Sequence, residues 1–375
     1  MHERPIDKLA AILRGEHVSW SEIGPTETQI LQVCAEEDLI VLMHERLCHE
    51  PWAEDWAPSV RKSFADAARM QAARELLLGR EIVSALDALA SEAIFPILLK
   101  GTPLAYSVYD APAARPRSDT DLLIVREQVD AARRTLAGLG YSAATQSSGE
   151  LLFRQFEVRK TDAFGVVHAF DFHWKISTQS VFADVLTYDE LAAEAVPVPA
   201  LGPHARTAGP VHALLLACIH PVMHHRNVER LLWIHDIHLL ASRLTPAAFD
   251  RFEHLAAAKR VGAIAAHELA LARARFGTRV ADAVIERLAV PSVEEPSTAY
   301  LGPGRRWHNE LASNLRGLPS WRDRVRLLRE VLVPNPTFML GASGVSAGPV
   351  STALLPALYV RRLLRGLAKV LTGRK

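Results

Sequence analysis

The sequence predicts an α/β or α+β core that lies between two helical modules. Short apolar runs typical of strands occur between residues 91 and 177, whereas the preceding chain has Ala, Leu, Glu and Arg at helical spacing. A length of 375 residues allows about two domains. We therefore divide the chain into a helical N-terminal module (residues 1–90), a core (91–200) and a helical C-terminal domain (201–375).

Composition narrows the class of protein. Lys and Arg number 43 and Asp and Glu number 42, so no overall basic field makes nucleic acid the default partner. The three cysteines are far apart and none forms a C-x-x-C pair, which fits a reducing compartment. The sequence shows no signal-peptide pattern and no transmembrane segment, since no apolar run reaches about 18 residues. We therefore expect a soluble, cytoplasmic protein.

The N-terminal module is predicted to contain two helices between Glu27 and Leu89. The segment CHEPWAEDWAPS separates them, because its prolines interrupt the helical pattern. The predicted module is therefore helical throughout, with a turn near its middle.

The core is predicted to alternate strands and helices. IFPILLKG reads as a first strand and TPLAYSVY can open a helix. DTDLLIV is a second strand candidate, and EQVDAARRTLAGLG a helix that its glycines end. The remaining strand candidates are LLFRQFEV and GVVHAFDFHW.

After the Pro-rich connector VPVPALGPHARTAGP, the sequence predicts the paired helices VHALLLACIHPVMHH and VERLLWIHDIHLLASRL. The tail LYVRRLLRGLAKVLTGRK places aliphatic residues on one helical face and carries basic residues with no acidic one between them. The aliphatic residues are Val360, Leu363, Leu364, Leu367 and Leu371, and the basic ones are Arg361, Arg362, Arg365 and Lys369. We favour docking of this helix on its own domain over peripheral contact with an anionic membrane or an acidic partner.

The stretch ARPRSDTDLLIVRE puts two carboxylates one residue apart at the start of a predicted strand. Alternate side chains of a strand share a face, so Asp119 and Asp121 are expected to point the same way. Water, an arginine or a divalent cation must offset their repulsion, and a metal with hard oxygen ligands does so most strongly. A solvated pair is the commoner meaning of D-x-D alone, so the motif needs supporting residues.

A possible phosphate site precedes the paired aspartates. Lys100, Gly101 and Thr102 stand where the first strand should turn into a helix, and backbone N–H groups at such a point bind anions. Gly101 would allow close approach, Thr102 would cap the helix or bond a phosphate oxygen, and Lys100 would add positive charge. An ordinary strand-to-helix turn is the alternative.

A third carboxylate lies in HAFDFHWK. Alternation places Asp171 and His173 on one face of the strand, with Phe170, Phe172 and Trp174 on the other. An aspartate among aromatic residues in a sheet is costly without a partner. If this strand neighbours Asp119 and Asp121, the three carboxylates would form a Mg²⁺ site.

These parts together resemble the polymerase-beta type of nucleotidyltransferase: a Gly turn, D-x-D starting 18 residues later, and a single Asp on a later strand. More closely, LLKGTPLAYSVYDAPAARPRSDTDLLI, FDFHWKIS and ACIHPVMHHRNVERLLWIHDIHLL are similar to a bacterial family of uncharacterised nucleotidyltransferases. The resemblance spans roughly residues 30 to 300. It implies an α+β fold, in which a small mixed sheet with helices is flanked by helical modules. One departure is Thr102, where the superfamily usually has Ser.

The resemblance implies roles for individual residues. The carboxylates expected to act in catalysis and to bind Mg²⁺, or alternatively Mn²⁺, are Asp119, Asp121 and Asp171, and Asp171 would also accept the acceptor's proton. The residues expected to bind the nucleotide phosphates are Lys100, Gly101, Thr102, Arg115 and Arg117. Of the two arginines we favour Arg115, which begins the spacing R-x-x-x-D-x-D.

Four more residues are expected to contact substrate or support the site: His173, His220, His224 and Asp236. His173 could bind substrate, hold Asp171 in position or be structural. His220 and His224 share a helical face, as zinc ligands would, and His235, Asp236 and His238 could add ligands. We favour polar packing beside the active-site cleft over a metal site.

The function predicted from the sequence is transfer of an NMP from an NTP to a hydroxyl or phosphate of an unidentified small-molecule, peptide or protein acceptor. One alternative is a metal-dependent glycosyltransferase, because those enzymes also use D-x-D to hold a metal on a diphosphate. Another is a non-catalytic nucleotide-binding or antitoxin-like module, since a fold alone does not establish activity.

Overall fold

The computed structural model describes residues 5–24, 26–143, 151, 153–290, 293–302, 307–318, 320–343 and 353–372. Helices surround a seven-stranded mixed sheet, which confirms the α+β class. Within these ranges, no helix is both long and apolar enough to cross a bilayer.

Five helices precede the sheet: α1 (Pro5–Arg14), α2 (Trp20–Ile23), α3 (Glu27–Glu36), α4 (Ile40–Cys48) and α5 (Pro58–Ser91). The predicted break in CHEPWAEDWAPS is confirmed, and α5 starts with a proline, whose missing N–H costs nothing there. The prediction of two helices is wrong, because the first of them is divided into α3 and α4. Asp38 adopts a φ of 58° between them, a left-handed conformation that a continuous helix does not permit.

The predicted order of core elements is confirmed. The chain forms β1 (Ile97–Leu99), α6 (Gly101–Ser107), β2 (Thr120–Leu123), α7 (Val129–Gly138), β3 (Ser142–Ala143), β4 (Gln155–Thr161) and β5 (Val167–His173). The strand predicted in LLFRQFEV begins only at Gln155, and residue 152 of that run lies outside the described residues. The short strand β3 was not predicted.

The Pro-rich connector also contributes to the sheet. It is preceded by α8 (Tyr188–Ala193) and contains β6 (Val196–Pro197) and β7 (Arg206–Thr207). The strand order is β3-β4-β5-β2-β1-β7-β6. Strand β2 runs antiparallel to β1 and parallel to β5. The strand that carries Asp121 is therefore central, with a hydrogen-bonded neighbour on each side.

The rest of the described chain is helical, and the predicted helix pair is confirmed as α9 and α10. The helices are α9 (Pro210–His224), α10 (Leu231–Arg243), α11 (Pro246–Ala258), α12 (Gly262–Phe276), α13 (Asp282–Ala289), α14 (Trp307–Gly317), α15 (Trp321–Leu332), α16 (Pro336–Gly341) and α17 (Leu355–Thr372). The loops predicted between them include residues 291–292, 303–306 and 344–352, which lie outside the described part.

The sheet separates two apolar clusters. Alternate residues of β1 and β2 face opposite sides, so Leu98 and Leu122 pack in one cluster with α7, while Leu99 and Leu123 pack in the other. This second cluster also contains apolar residues from α1 to α5 and from α9 to α13. The helices before and after the sheet thus share one core on the face that Asp121 occupies. The domain boundaries at residues 90 and 200 stay a prediction.

Candidate active site

Strand pairing brings together carboxylates that are far apart in the sequence. In the parallel pair of β2 and β5, Asp121 lies opposite Asp171, and Leu123 lies opposite His173. Phe170 and Phe172 are buried in the apolar cluster on the other face of the sheet. The predicted alternation of polar and aromatic residues in β5 is therefore confirmed.

Asp121, Asp171 and His173 form what we call the acidic cluster. One ligand atom from each residue lies within 4.8 Å of the other two. His173 Nε2 is 2.9 Å from Asp121 Oδ1 and 3.6 Å from Asp171 Oδ2. His173 is therefore within hydrogen-bond distance of Asp121 and only near Asp171, and its expected role in holding Asp171 in position stays a prediction.

Asp171 is incompletely satisfied. Gln155 on β4 donates from Nε2 to Asp171 Oδ2 at 2.7 Å. The other oxygen, Oδ1, is buried, and the described residues offer it no hydrogen-bond partner. Buried polar atoms in folded proteins nearly always have a partner, so Asp171 Oδ1 has room in its hydrogen-bonding capacity for a water or a cation.

Lys100 supplies the nearest positive charge. Its Nζ donates to Asp121 Oδ1 at 2.6 Å. To reach this position, the residue adopts φ 56° and ψ −133° at the start of α6. A non-glycine residue in such a conformation costs about 1–3 kcal/mol, so surrounding contacts must hold it there. The predicted strand-to-helix turn is confirmed, and it aims Lys100 at the aspartates.

The two aspartates of the acidic cluster have opposite pKa shifts. Burial disfavours ionisation of Asp121, but the charges and hydrogen bonds of Lys100 and His173 outweigh it and hold its pKa well below the ordinary value. For Asp171, burial and the nearby charge of Asp121 raise the pKa to about 6, despite the opposing effect of His173. One carboxylate is thus firmly ionised, while the other can exchange a proton near neutral pH.

Asp119 lies one residue before β2 and is exposed to solvent. Local desolvation and repulsion by Asp121 raise the pKa of its carboxyl, so the expected electrostatic coupling within D-x-D is present. It does not belong to the group of ligand atoms that lie within 4.8 Å of one another. Its role as a metal ligand stays a prediction.

Gly101 and Thr102 lie in the first turn of α6 and are both buried. A Cβ on Gly101 would come within 3.1 Å of Arg115 Nη1, so a larger residue here would require the Arg115 side chain to move by a few tenths of an ångström. The Thr102 hydroxyl donates to Thr120 Oγ1 at 3.4 Å and caps no helix. Phosphate binding by either residue stays a prediction.

Arg115 is paired with a helix of the C-terminal region. Its Nη2 lies 2.7 Å from Asp236 Oδ2, and its Nε lies 2.9 Å and 3.0 Å from the two carboxylate oxygens. Tyr109 Oη donates to Asp236 Oδ1 at 2.6 Å. Both charged side chains are more than nine-tenths buried, and we call this pair the Arg115 clamp.

Arg117 is paired with a helix of the N-terminal region. Its two terminal nitrogens donate to the Glu75 carboxylate on α5 at 2.9 Å and 2.7 Å. Tyr106 Oη donates to the same carboxylate at 2.6 Å, and the pair is again almost fully buried. This is the Arg117 clamp. Phosphate binding by Arg115 or Arg117 stays a prediction, but each guanidinium already has a carboxylate partner.

The two clamps hold one loop. Residues 108–118 connect α6 to the D-x-D strand, and the clamps fasten their last part to α10 on one side and to α5 on the other. Bidentate guanidinium–carboxylate pairs fix orientation as well as distance. The loop therefore enters β2 in a defined direction, two residues before Asp119.

The histidines of α9 lie beside the acidic cluster. Burial and the charge of Lys100 hold the pKa values of His220 and His224 well below the ordinary value. His220 Nε2 is 3.3 Å from His225 Nε2, and His224 Nε2 donates to Ile176 O at 3.3 Å. These histidines make polar packing contacts, as the favoured interpretation expects.

The proposed further zinc ligands have other partners. His235 Nδ1 is 3.3 Å from Tyr109 Oη, and His238 Nδ1 is 2.9 Å from Thr278 Oγ1. Asp236 is paired with Arg115 in the Arg115 clamp. In the described part of the chain, the acidic cluster is the group with metal-ligand geometry, and the histidines of α9 and α10 form no such group.

Sequence reasoning missed Glu75, Tyr109 and Gln155. Glu75 lies within a helix of 34 residues, and no local pattern distinguishes it from the other acidic residues there. Gln155 contacts the site because it pairs with His173 across β4 and β5. The alternating pattern predicted both strands and which residues share a face, but it does not tell which residue of one strand pairs with which residue of the other.

The fold and the site define a class: an α+β protein in which strand carboxylates and a histidine form a candidate divalent-metal site. The model of a family described as uncharacterised nucleotidyltransferase matches residues 25–277, about two thirds of the chain. The chain therefore belongs to this nucleotidyltransferase family, which confirms the resemblance to uncharacterised nucleotidyltransferases. The polymerase-beta type of core stays a prediction. The acidic cluster and both clamps lie inside the matched segment. A comparison with curated proteins finds no match.

Proposed function

We propose that the protein is a Mg²⁺-dependent nucleotidyltransferase that moves an NMP from an NTP to a hydroxyl or phosphate of a small-molecule, peptide or protein acceptor. Family membership supports the reaction class. The observation that carries the proposal is the acidic cluster, in which two carboxylates converge and one buried oxygen has no partner.

The donor set suits a hard divalent cation. Carboxylate oxygens are the protein ligands that Mg²⁺ and Mn²⁺ prefer, and Asp121 and Asp171 provide them. The imidazole of His173 is a softer donor, which makes Mn²⁺ a reasonable alternative to Mg²⁺. Asp119, next to the cluster, would supply a further carboxylate. When bound, the cation would neutralise phosphate charge and polarise the phosphate that is attacked.

The reaction is an in-line displacement. The acceptor oxygen forms a bond to the α-phosphorus of the NTP, the bond from that phosphorus to the bridging oxygen breaks, and pyrophosphate leaves. Asp171 would take the proton of an acceptor hydroxyl. Asp121, firmly ionised, would keep its charge through the reaction.

Lys100 links the metal and phosphate sites in this proposal. Its ammonium donates to Asp121 Oδ1, an oxygen that a cation would also use. Binding of a divalent cation there would release Lys100, which would then contact the phosphates with Gly101 and Thr102. Arg115 lies against Gly101 and would add positive charge from its position in the Arg115 clamp.

Label transfer tests this function. Purified protein is incubated with Mg²⁺ or Mn²⁺, cell extract as the source of acceptor, and each of the four α-labelled NTPs in turn, and labelled product and pyrophosphate are measured. We expect transfer from one or more NTPs, with a loss of about a thousandfold for Asp171→Asn because a metal ligand and the base are removed.

The matched control is Asp184→Asn, which neutralises an exposed aspartate beyond the end of β5 and should leave transfer intact. Transfer that persists in Asp171→Asn would contradict the role of the acidic cluster. Nucleotide binding without transfer would favour the non-catalytic module, and consumption of sugar nucleotides would favour the glycosyltransferase.

A further inference from the structure

Exposed apolar residues gather on α15, far along the chain from the acidic cluster. Trp321, Val325, Leu328 and Leu332 are spaced by four, three and four residues, so they form one line along the helix. Their exposed fractions are 69, 55, 36 and 45%. Such a continuous apolar line on a surface differs from the scattered exposed hydrophobic residues that most proteins have.

This line is distinct from the packing face of α15. Leu327 and Val331 are buried and form a small core with Leu318. At about 100° per residue, the exposed line lies about a quarter to a third of a turn away from them. Arg322 and Arg329 border it on the side away from the core. Helix α15 therefore has one face for its own fold and another for a partner.

Helix α17 also carries exposed apolar residues next to exposed arginines. Val360 and Leu364 are 55% and 61% exposed, and Arg361 and Arg365 beside them are exposed as well. Tyr359 Oη donates to Pro334 O at 2.5 Å, which attaches the helix just beyond the end of α15. The predicted docking of this helix on its own domain is thus observed at Tyr359, but docking leaves its apolar face uncovered among the described residues.

Positive charge is concentrated on these two helices. From Trp321 to Thr372 the sequence has eight basic residues and two acidic ones, and no acidic residue follows Glu330. The whole chain has a net charge of only +1, so the remainder is acidic on balance. The segment also lies beyond residue 277, where the match to the nucleotidyltransferase family ends.

We propose that α15 and α17 form a surface that binds anionic lipid bilayers. Each helix combines an exposed apolar line with adjacent arginines, and α15 adds an exposed tryptophan. A bilayer with anionic headgroups offers acyl chains and negative charge in the same plane, and stable peripheral binding needs both. A purely polyanionic partner would use the arginines and leave the apolar lines in water, and a second copy would bring like charges together.

Vesicle binding by the full chain tests this proposal independently of catalysis. Binding is measured by co-sedimentation with vesicles of phosphatidylcholine alone and of phosphatidylcholine mixed with phosphatidylglycerol. We expect binding to the anionic vesicles that is tighter by about tenfold or more and that weakens with salt. Val360→Glu/Leu364→Glu should weaken it by about tenfold or more. Arg361→Gln/Arg365→Gln should reduce the preference for anionic lipid.

The matched control is Met70→Glu/Phe164→Glu, which changes two residues that are 74% and 78% exposed elsewhere on the surface. It should bind vesicles as the unchanged chain does, and thermal melts should show that all variants fold. Equal binding to both lipids, no binding, or full binding by Val360→Glu/Leu364→Glu would overturn the proposal. So would binding to soluble polyglutamate in place of vesicles, or self-association through these helices in sedimentation.

Discussion

Buried charges near the D-x-D strand form both the acidic cluster and the two arginine clamps. They differ in charge balance, because each clamp matches one guanidinium with one carboxylate. Each clamp joins one guanidinium to one carboxylate through at least two hydrogen bonds, with a tyrosine hydroxyl as a further donor. In the acidic cluster, Asp121 is paired with Lys100 and His173, whereas Asp171 accepts from Gln155 and its other oxygen is buried without a partner among the described residues.

Because of this difference, we assign the clamps a role in positioning the loop before D-x-D and the acidic cluster a role in binding a ligand. A buried guanidinium–carboxylate pair balances its own charge, even though Arg117 Nε has no hydrogen-bond partner among the described residues. Removing one member of such a pair leaves a charge that is expensive to keep out of water. A buried carboxylate that lacks a partner is costly as it stands, and a cation would reduce that cost. We therefore expect substitutions in the clamps to act on stability and substitutions in the acidic cluster to act on ligand binding.

The largest effect on stability should come from breaking the Arg115 clamp with Asp236→Asn. The change leaves the buried guanidinium without a countercharge, so the free energy of unfolding should fall by about 3–5 kcal/mol. Urea or thermal unfolding measures the loss. Asp171→Asn, a substitution of the same type in the acidic cluster, is the comparison and should cost much less. If the two variants lost equal stability, the distinction between clamp and cluster would be wrong.

The sequence predicted the acidic cluster better than the clamps, although Asp121 and His173 are 52 residues apart and Arg117 and Glu75 are only 42 apart. Asp121, Asp171 and His173 follow from two local patterns, namely alternation in a strand and an aspartate placed among aromatic residues. Only the parallel pairing of β2 with β5 had to be added, and the family resemblance implied that the strands were neighbours.

The clamps could not be predicted in this way. Arg115 and Asp236 are 121 residues apart, and Arg117 and Glu75 are 42 apart. Each pair depends on how a helix packs against the sheet, which no local pattern encodes. The basic position before D-x-D was recognised, and Asp236 was expected to support the site. The sequence analysis assigned the two arginines to phosphate binding, because no local pattern indicated that their carboxylate partners lie on helices elsewhere in the chain.

Glu268 on α12 is a buried ionisable group that belongs neither to the acidic cluster nor to a clamp. It is 2% exposed, and within the described chain its carboxyl has no ion pair. Burial and repulsion by Glu229 raise its pKa to about 8. Below its unfolded pKa of about 4.3, both states are protonated and the protein has its full stability from this group. As pH rises from there towards 8, only the unfolded state releases the proton, so stability falls.

We therefore expect the free energy of unfolding of Glu268→Gln, relative to that of the unchanged protein, to rise with pH at about 1.4 kcal/mol per pH unit. Between pH 5 and pH 7.5 this relative gain amounts to about 3 kcal/mol. Denaturant unfolding of both chains across this range gives the difference. At pH 4 and below the two should differ little, because Glu268 is then protonated in both states. A difference that does not change with pH would show that Glu268 is ionised in the folded protein and would contradict this prediction.

Added metal should stabilise the protein through the acidic cluster. At a Mg²⁺ or Mn²⁺ concentration of about one hundred times the dissociation constant, a ligand that binds only the folded state adds about 2.7 kcal/mol. Thermal melts across a metal titration measure the gain. Asp171→Asn should abolish this stabilisation by metal. Asp236→Asn should still be stabilised by metal, although it is less stable than the unchanged protein before metal is added. A metal response that survives in Asp171→Asn would place the cation elsewhere.

The smallest effect should come from Asp184→Asn, which removes an ion pair with Lys175 just beyond β5. These side chains are 65% and 40% exposed, so water already solvates both charges. We expect a loss of stability below about 1 kcal/mol and an unchanged metal midpoint. Lys175 is four residues from Asp171, so the variant tests whether closeness along the chain or burial decides the cost. A loss as large as that of Asp236→Asn would mean that burial does not separate the clamps from ordinary surface pairs.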